Sequence, residues 1–154
     1  MKKFVNHVDH VAWISRPENI EKNVARLEEL TGAKLEKFQR DDMGFVMYIS
    51  WEAGLEMVAP LPFKTDFNQM LYDWLETRGE GVNSVVFGVR GLEEHKARLE
   101  KLGYTPGPVM DDHPDSPWHH KISLYERVAD DFLGSLFILG DIDYADGVIP
   151  FEDS

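Results

Sequence analysis

The feature that most constrains the fold of this chain is an internal repeat. The segment Val-Asp-His-Val-Ala-Trp-Ile at residues 8–14 returns in related form as Val-Asn-Ser-Val-Val-Phe-Gly at residues 82–88. A second match follows each segment, because residues 25–30 and 97–102 are identical at five of six positions, seventy-two residues apart. Self-similarity at a long spacing indicates one structural unit used twice. The chain is therefore expected to contain two related units in tandem.

Within the first repeat, the hydrophobic pattern predicts one strand, one helix and three further strands. Val8, His10 and Ala12 occupy every second position and would share one face, and this period of two is typical of a strand. The sequence Ser-Arg-Pro-Glu at residues 15–18 has the pattern of a capping box with proline in the first turn, and predicts a helix that ends at Gly32. The later strands are predicted at residues 33–40, 44–50 and 54–59, with turns at 41–43 and 51–53.

A connecting helix and the second repeat follow. Apolar residues at helical spacing predict the helix, with Thr65 as its N-cap and Gly79 after its end. A strand to residue 89 and a helix at 92–102 come next. Prolines then predict a long loop. The last strands are predicted at about 120–125 and 133–139, with a turn at 128–131. We interpret the chain as one domain, with unit one at about 4–60, a linker helix at about 61–79, unit two at about 80–140 and an extended acidic tail at 141–154.

Composition excludes several classes of function. The chain has 28 acidic and 16 basic residues and a formal net charge of -12, so its overall field repels nucleic-acid backbones and anionic membrane surfaces. It contains no run of about 20 apolar residues that could span a bilayer, and a cytoplasmic location is expected. Because cysteine is absent, disulfides and thiolate ligands are excluded. Histidine, aspartate and glutamate are then the candidate metal ligands.

Three short motifs give the repeats a family resemblance. They are His-Val-Ala at residues 10–12, Gly-Leu-Glu-Met-Val at 54–58 and Arg-Gly-Glu-Gly-Val at 78–82. With the tandem strand-helix-three-strand pattern, they resemble the vicinal oxygen chelate superfamily, which includes glyoxalase I, extradiol dioxygenases, methylmalonyl-CoA epimerase and bleomycin-resistance proteins. The chain looks most like the glyoxalase and epimerase branch. The resemblance implies an α+β fold in which tandem βαβββ units form a curved half-barrel sheet with a central cleft. It also implies a divalent metal, Mn, Fe, Ni, Co or Zn, held by the first and fourth strands of each unit.

The resemblance places metal ligands at His10 in the first strand and Glu56 in the fourth. In the second repeat the corresponding positions hold Ser84 and approximately Phe137, and neither is a good ligand. Two protein ligands are fewer than the three usual at a catalytic metal, so the predicted metal site is incomplete, and a protein without a metal is the alternative. In that case His10 and Glu56 are expected to form a hydrogen-bonded acid/base pair.

Further polar and aromatic side chains are candidates for ligand binding. The adjacent His119 and His120 precede a predicted strand, and they are either replacement ligands or a polar strand edge. The aromatic candidates are either core residues or contacts for a flat, apolar ligand. Serine and asparagine in the second repeat can donate hydrogen bonds, although a small packing residue is the alternative for the serine. The predicted ligand-binding residues are Tyr48, Asn83, Ser84, His119, His120 and Phe137.

Two functions from different classes are consistent with these residues. The first is a small-molecule enzyme of the glyoxalase type, with lyase, isomerase or dioxygenase-like chemistry at a carbonyl or phenolic substrate and with His10 and Glu56 as the catalytic residues. The second is a binding or sequestering protein on the same fold, which the loss of ligands in the second repeat favours. The expected partner is an aromatic or apolar small molecule, and the resemblance implies a homodimer.

Overall fold

The computed structural model describes residues 3–111 and 115–150, except for the side chain of Asp111. None of its helices in these ranges is long and apolar enough to cross a membrane. The elements follow the order of two βαβββ repeats joined by a helix, which confirms the predicted α+β class with tandem units. They are β1 (His7–Ile14), α1 (Ile20–Thr31), β2 (Glu36–Arg40), β3 (Phe45–Ser50), β4 (Leu55–Pro60), α2 (Gln69–Thr77), β5 (Gly81–Gly88), α3 (Leu92–Lys101), β6 (Val109–Asp111), β7 (Ile122–Phe132) and β8 (Ser135–Tyr144).

The chain forms two compact units whose boundaries fall inside strands. Unit I is Ala12–Asn83, and unit II combines residues up to Val11 with the residues from Ser84 onward. Strands β1 and β5 therefore contribute residues to both units. The units predicted from the repeat, at about 4–60 and 80–140, assigned all of the first strand to the first unit. In the structure the first half of β1 belongs with the C-terminal half of the chain.

Unit I is an antiparallel sheet covered on one face by α1. Strand β3 pairs with β2 on one side and with β4 on the other. Its residues from Phe45 to Met47 are all buried, so this central strand is covered on both faces. The face toward α1 holds an apolar core because strand alternation places every second residue there. That core contains Ile20, Val24, Val46, Met57, Ala59 and Leu61.

The start of α1 differs from the predicted capping box. Pro17–Asn19 form a 3-10 turn, and neither Arg16, which precedes this turn, nor Asn19, which precedes α1, makes a capping hydrogen bond with its own side chain. The carboxylate that the pattern assigned to residue 18 is supplied instead by Glu80, which lies far along the chain. Its Oε2 atom accepts the backbone N–H of Arg16 at 3.0 Å and lies 3.0 Å from Ser15 Oγ. A residue between α2 and β5 thus accepts the backbone N–H at the start of the 3-10 turn.

The hydrogen bonds to Glu80 make a testable contribution to stability. Burial opposes ionisation of Glu80, but hydrogen bonds from Arg16, Ser15, Asn19 and Asn23 outweigh it and lower the pKa below 4.5. A lowered pKa means that the stabilisation is complete above 4.5 and is lost as the pH falls through the folded-state pKa. Since Glu80 is solvent-exposed, we expect Glu80→Gln to cost only about 1 kcal/mol at neutral pH, and less in acid.

Urea unfolding between pH 3 and 7 measures this difference. The matched control is Glu76→Gln, a change at an exposed carboxylate on α2 that should alter stability little at any pH. A constant difference between wild type and Glu80→Gln over the whole range would contradict the assigned role.

The start of α2 is organised by Thr65 and Asn68. The predicted cap, Thr65, accepts the backbone N–H of Asn68 at 3.0 Å, and Asn68 Oδ1 accepts the backbone N–H of Thr65 at 2.8 Å. This reciprocal pair has the logic of a capping box. Asn68 is fully buried, and its amide donates to the carbonyls of Gly44 at 2.7 Å and Phe63 at 2.8 Å. One side chain therefore joins the helix start to the β2–β3 turn.

Unit II has the same pattern of strands around α3. Strand β8 pairs in parallel with β5 and antiparallel with β7, which in turn pairs with β6. Helix α3 packs on one face of this sheet, where Val89, Leu92 and Leu139 form a core with Phe137 packed against it. The helix ends within one residue of the predicted boundary.

The strands after α3 correct three sequence predictions. The short strand β6 lies where prolines predicted only a loop. The predicted turn at residues 128–131 lies inside β7, with a register shift between Val128 and Asp130, and the hairpin turn is formed by Leu133 and Gly134, which both have positive φ. The predicted tail is also shorter than expected, because β8 continues through Tyr144. Within residues 141–150, Ile142, Tyr144 and Ile149 are buried, and residues 151–154 lie outside the described ranges.

Candidate functional site

Two adjacent polar residues of β1 are buried in unit II. Asp9 is 3% exposed and His10 is 7% exposed. A buried carboxylate is costly unless hydrogen bonds or an opposite charge compensate it. The environment of these two side chains therefore decides what this part of the molecule can do.

Asp9 holds the imidazole of His10 by one ring nitrogen. His10 Nδ1 lies 2.6 Å from Asp9 Oδ1, and the hydroxyl of the buried Tyr144 donates to the same oxygen at 2.7 Å. A carboxylate only accepts hydrogen bonds, so Nδ1 carries the proton in this arrangement. In the neutral imidazole, Nε2 is then the basic atom. Asp9 Oδ2 is buried and has no hydrogen-bond partner among the described residues.

A second carboxylate faces the other edge of the imidazole. Glu126 Oε1 lies 3.9 Å from His10 Nε2, and the Glu126 side chain is 14% exposed. In the antiparallel register, Glu126 lies opposite Gly140 and Ile122 lies opposite Tyr144, so these side chains share one face. That face is opposite to α3, because Leu139 packs on the α3 side. The polar cluster therefore lies on the face of the unit II sheet that α3 leaves uncovered.

The N-terminal residues pack beside Tyr144. The ring of Phe4 lies edge-on to that of Tyr144, with 6.1 Å between the ring centroids. The backbone of Phe4 passes so close to Gly88 that a Cβ there would come within 1.9 Å of the Phe4 carbonyl oxygen. Only glycine permits this approach. Phe4 is thus held against β5 while its ring packs on Tyr144.

An ion pair ties the same N-terminal segment to β8. Lys3 Nζ lies 2.5 Å from Asp141 Oδ1 and 3.3 Å from Asp143 Oδ1. Burial of Asp141 acts to raise its pKa, but the Lys3 ammonium and the Gly91 backbone N–H lower it, with the net pKa below 3.8. Asp141 is therefore ionised, and it connects Lys3 to the backbone at the start of α3.

The predicted site residue Glu56 lies in unit I. It is half-buried on β4, opposite Ile49 of β3. Its neighbour Met57 packs against α1, so strand alternation places Glu56 on the opposite face of that sheet. Its role as a metal ligand or as the acid/base partner of His10 stays a prediction.

The predicted aromatic residues pack on the helix-covered faces. Tyr48 contacts the apolar core beneath α1, and Lys37 Nζ lies 5.9 Å from the centroid of its ring. Phe137 packs with the α3 core and lies 6.1 Å from Phe87 between ring centroids. Both positions agree with the alternative of core aromatics, although ligand binding by either residue is a separate question that stays a prediction.

The remaining predicted residues occupy three different settings. Ser84 is buried on β5 opposite Leu136, so it shares the uncovered face of unit II with Glu126. Asn83 is the half-buried last residue of unit I. His119 and His120 are exposed in the turn before β7, and His119 Nδ1 lies 3.1 Å from the Ser116 carbonyl oxygen. This turn, rather than a strand edge, is where the histidine pair is found.

Three residues of the cluster were not predicted. The sequence offers a weak signal for Asp9, because a carboxylate within an apolar strand needs a partner, and His10 is its neighbour. Tyr144 lies in the segment that was predicted as the tail. Glu126 lies in β7, just beyond the predicted end of that strand at residue 125. Both assignments depend on pairing between distant strands.

Two surface concavities are found in unit I. One of about 440 Å³ is lined by residues that include Ile20, Lys37 and Tyr48. The other, of about 490 Å³, includes Arg16, Lys64 and Tyr72. Asp9, His10 and Glu126 line neither of them. A depression is defined by its shape alone. The polar cluster contains buried and oriented titratable side chains, which catalysis requires. We therefore take the polar cluster as the candidate site.

The metal implied by the resemblance does not fit this cluster. The described residues contain no group of three or more His, Cys, Asp or Glu side chains that could hold a metal ion. Within unit II, Glu126 approaches His10 Nε2, whereas a catalytic metal usually has three protein ligands.

Comparisons with known proteins bear on the fold. No protein-family model and no curated protein matches the sequence. Among solved structures, methylmalonyl-CoA epimerase from Mycobacterium tuberculosis is similar with a TM-score of 0.63 and 17% identity, over 92% of this chain and 91% of the epimerase. A variant epimerase from Streptomyces coelicolor in complex with 2-nitronate-propionyl-CoA gives a TM-score of 0.61 and 15% identity, over 89% of this chain and 97% of the other.

A third neighbour is a mutant 4-hydroxymandelate synthase from Streptomyces coelicolor. Its TM-score is 0.65 at 13% identity, and the match covers 92% of this chain and 49% of the synthase. The epimerases and the synthase belong to the vicinal oxygen chelate superfamily. The fold that the sequence motifs predicted is thereby confirmed: this chain has the vicinal oxygen chelate fold.

Proposed function

We propose that the protein is a small-molecule enzyme of the glyoxalase type, in which His10 removes a proton from a carbon next to a carbonyl group and delivers it to the carbonyl carbon. The observation that supports this role is the buried contact between Asp9 and His10 at 2.6 Å. A carboxylate that holds Nδ1–H orients the ring and stabilises the imidazolium formed when Nε2 takes a proton. The fold is similar to those of an epimerase and a synthase, which supports a catalytic use of this pair.

The proposed step is a balanced proton transfer. Nε2 of neutral His10 accepts the proton, and the C–H electron pair enters the enediolate. The imidazolium then delivers the proton to the former carbonyl carbon while the hydroxyl proton passes to the neighbouring oxygen, so that the product is the isomer of the substrate. Dioxygenase-like chemistry, the other option of the family, would need an electron-transferring metal, for which the described ligands do not suffice. Proton transfer is therefore the reaction that we favour.

The spacing of His10 and Glu126 bears on stereochemistry. Two bases on opposite sides of one carbon, each about 3 to 3.5 Å from it, must be roughly 6 to 7 Å apart. The observed separation is 3.9 Å, so both groups would act from one side of the substrate. We therefore propose that the proton is removed from one carbon and delivered to the next on a single face of the enediolate.

Solvent deuterium exchange tests the proposed function. The protein is incubated in D2O with methylmalonyl-CoA, a 2-hydroxy ketone and the glutathione adduct of methylglyoxal, and loss of the α-proton signal is followed by NMR. We expect exchange with at least one compound, its loss in His10→Gln and its retention in His7→Gln, a change at an exposed imidazole of the same unit. Binding of a panel member without any exchange would overturn the enzyme and favour the alternative of a sequestering protein. The ligand-binding roles of the other predicted residues, and the homodimer, stay separate proposals.

A further inference from the structure

The two oxygens of the Asp9 carboxylate have different surroundings. Oδ1 lies 2.6 Å from His10 Nδ1 and accepts the Tyr144 hydroxyl at 2.7 Å. Oδ2 is buried and has no hydrogen-bond partner within the described ranges 3–111 and 115–150. Buried polar atoms are usually hydrogen-bonded, and one donor on each oxygen would satisfy both. The two donors instead converge on the oxygen that engages the imidazole.

This convergence decides what orients the carboxylate. The terminal torsion of an aspartate side chain has broad, roughly twofold preferences, so the rotamer alone does not select the oxygen that faces Nδ1. Within the described residues, no donor holds Oδ2. The orientation of the Asp9 carboxylate therefore depends on the Tyr144 hydroxyl, because the imidazole is the group that is to be oriented.

Tyr144 is well suited to hold another side chain in place. It is 2% exposed and lies opposite Ile122 in the strand pairing. Its ring packs edge-on against Phe4, whose backbone lies against Gly88 with no room for a Cβ at that glycine. All of these residues belong to unit II. Packing and strand pairing thus fix the hydroxyl, whereas the carboxylate can rotate.

We infer that Tyr144 is a positioning residue, whose hydroxyl holds the Asp9 carboxylate in the orientation that keeps the proton of neutral His10 on Nδ1 and leaves Nε2 unprotonated. This inference rests on the role of His10 as the base in the proposed function. The partner of one ring nitrogen sets the tautomer of a histidine. Tyr144 acts on the imidazole through Asp9, as residues that support a site commonly do.

The tautomer of His10 in Tyr144→Phe tests the inference without a substrate. The change keeps the ring that packs on Phe4 and removes only the hydroxyl. Long-range proton–nitrogen correlation NMR is recorded at a pH where the imidazole is neutral. We expect one tautomer in the wild type, protonated at Nδ1. In Tyr144→Phe the carboxylate rotates away from Nδ1 for part of the time, so both tautomers are populated and the two ring-nitrogen signals move toward each other.

A matched variant and a second substitution complete this test. Tyr125→Phe removes the hydroxyl of an exposed tyrosine in the same unit and should keep the wild-type tautomer. A folded Tyr144→Phe protein with the single Nδ1-protonated tautomer would overturn the inference. If Tyr144→Phe does not fold, Phe4→Leu takes its place, because it loosens the tyrosine ring and keeps the hydroxyl. A smaller change in the same direction is then expected, and an unchanged tautomer would overturn the inference.

Kinetics give a further readout. With a panel compound that exchanges, Tyr144→Phe should lower kcat for exchange by about 3- to 30-fold and leave KM within about twofold, because a poorly oriented imidazole slows proton transfer without the loss of a substrate contact. Tyr125→Phe should exchange at the wild-type rate. A wild-type kcat in folded Tyr144→Phe would overturn the positioning role.

The two proposals fail in distinguishable ways. Absence of exchange with every compound would count against the proposed function, whereas the tautomer in Tyr144→Phe would still decide the role of the tyrosine. A wild-type tautomer in Tyr144→Phe together with His10-dependent exchange would retain the enzyme and overturn the positioning role.

Discussion

Replacing His10 by glutamine is expected to slow α-proton exchange by about 10²- to 10⁴-fold, the range that a positioned general base contributes. Asp9→Asn is expected to slow it by roughly 10- to 100-fold, because the amide can keep the contact while the charge that stabilises the imidazolium is lost. The rates are measured by NMR in D2O at saturating substrate. The smaller effect of the second change follows from the indirect action of Asp9.

The controls separate catalysis from folding. His7→Gln changes an exposed imidazole of the same unit and should exchange at the wild-type rate. Thermal unfolding and circular dichroism identify a variant that has lost its fold. Full exchange activity in a folded His10→Gln protein would contradict the role assigned to this residue.

Replacing Asn68 by alanine is expected to lower the free energy of unfolding by roughly 3 kcal/mol. The change removes three hydrogen bonds made by a fully buried amide, each worth about 1 kcal/mol. Asn68→Asp should be at least as damaging at neutral pH, because its carboxylate would face the carbonyl oxygens of Gly44 and Phe63. Urea unfolding followed by circular dichroism gives the midpoint for each protein.

Gln69 provides a matched control for this prediction. Its amide donates only to the exposed Asp73 on α2, so Gln69→Ala should change stability by less than about 0.5 kcal/mol. Equal unfolding midpoints for Asn68→Ala and Gln69→Ala would contradict the structural role of the buried amide.

The fold was largely predictable because it rests on local patterns used twice. The alternation around His10, the apolar spacing of the helices and the glycine after α1 predicted the elements of the first repeat. Gly32 does end α1, in the left-handed conformation. The capping box was wrong because its local pattern competes with a distant acceptor, and residues 15–18 carry no information about the position of Glu80.

The candidate site was predictable only in part, because it depends on contacts between residues that are distant in the sequence. His10 could be singled out from its strand and from the family motif. Tyr144 could not be paired with Asp9, because that contact joins residues 135 positions apart. The approach of Glu126 to the imidazole depends on the long β7–β8 hairpin, whose turn was predicted too early. A periodic pattern predicts an element, but strand pairing decides which side chains meet.

The most direct test of the account is the protonation state of the two ring nitrogens of His10. Long-range proton–nitrogen correlation NMR on ¹⁵N-labelled protein distinguishes them, and assignment follows from the signal lost in His10→Gln. We predict that neutral His10 is protonated at Nδ1 and unprotonated at Nε2, because Asp9 accepts the Nδ1–H. A neutral His10 protonated at Nε2 instead would contradict the account, since the nitrogen facing Glu126 could then not act as the base.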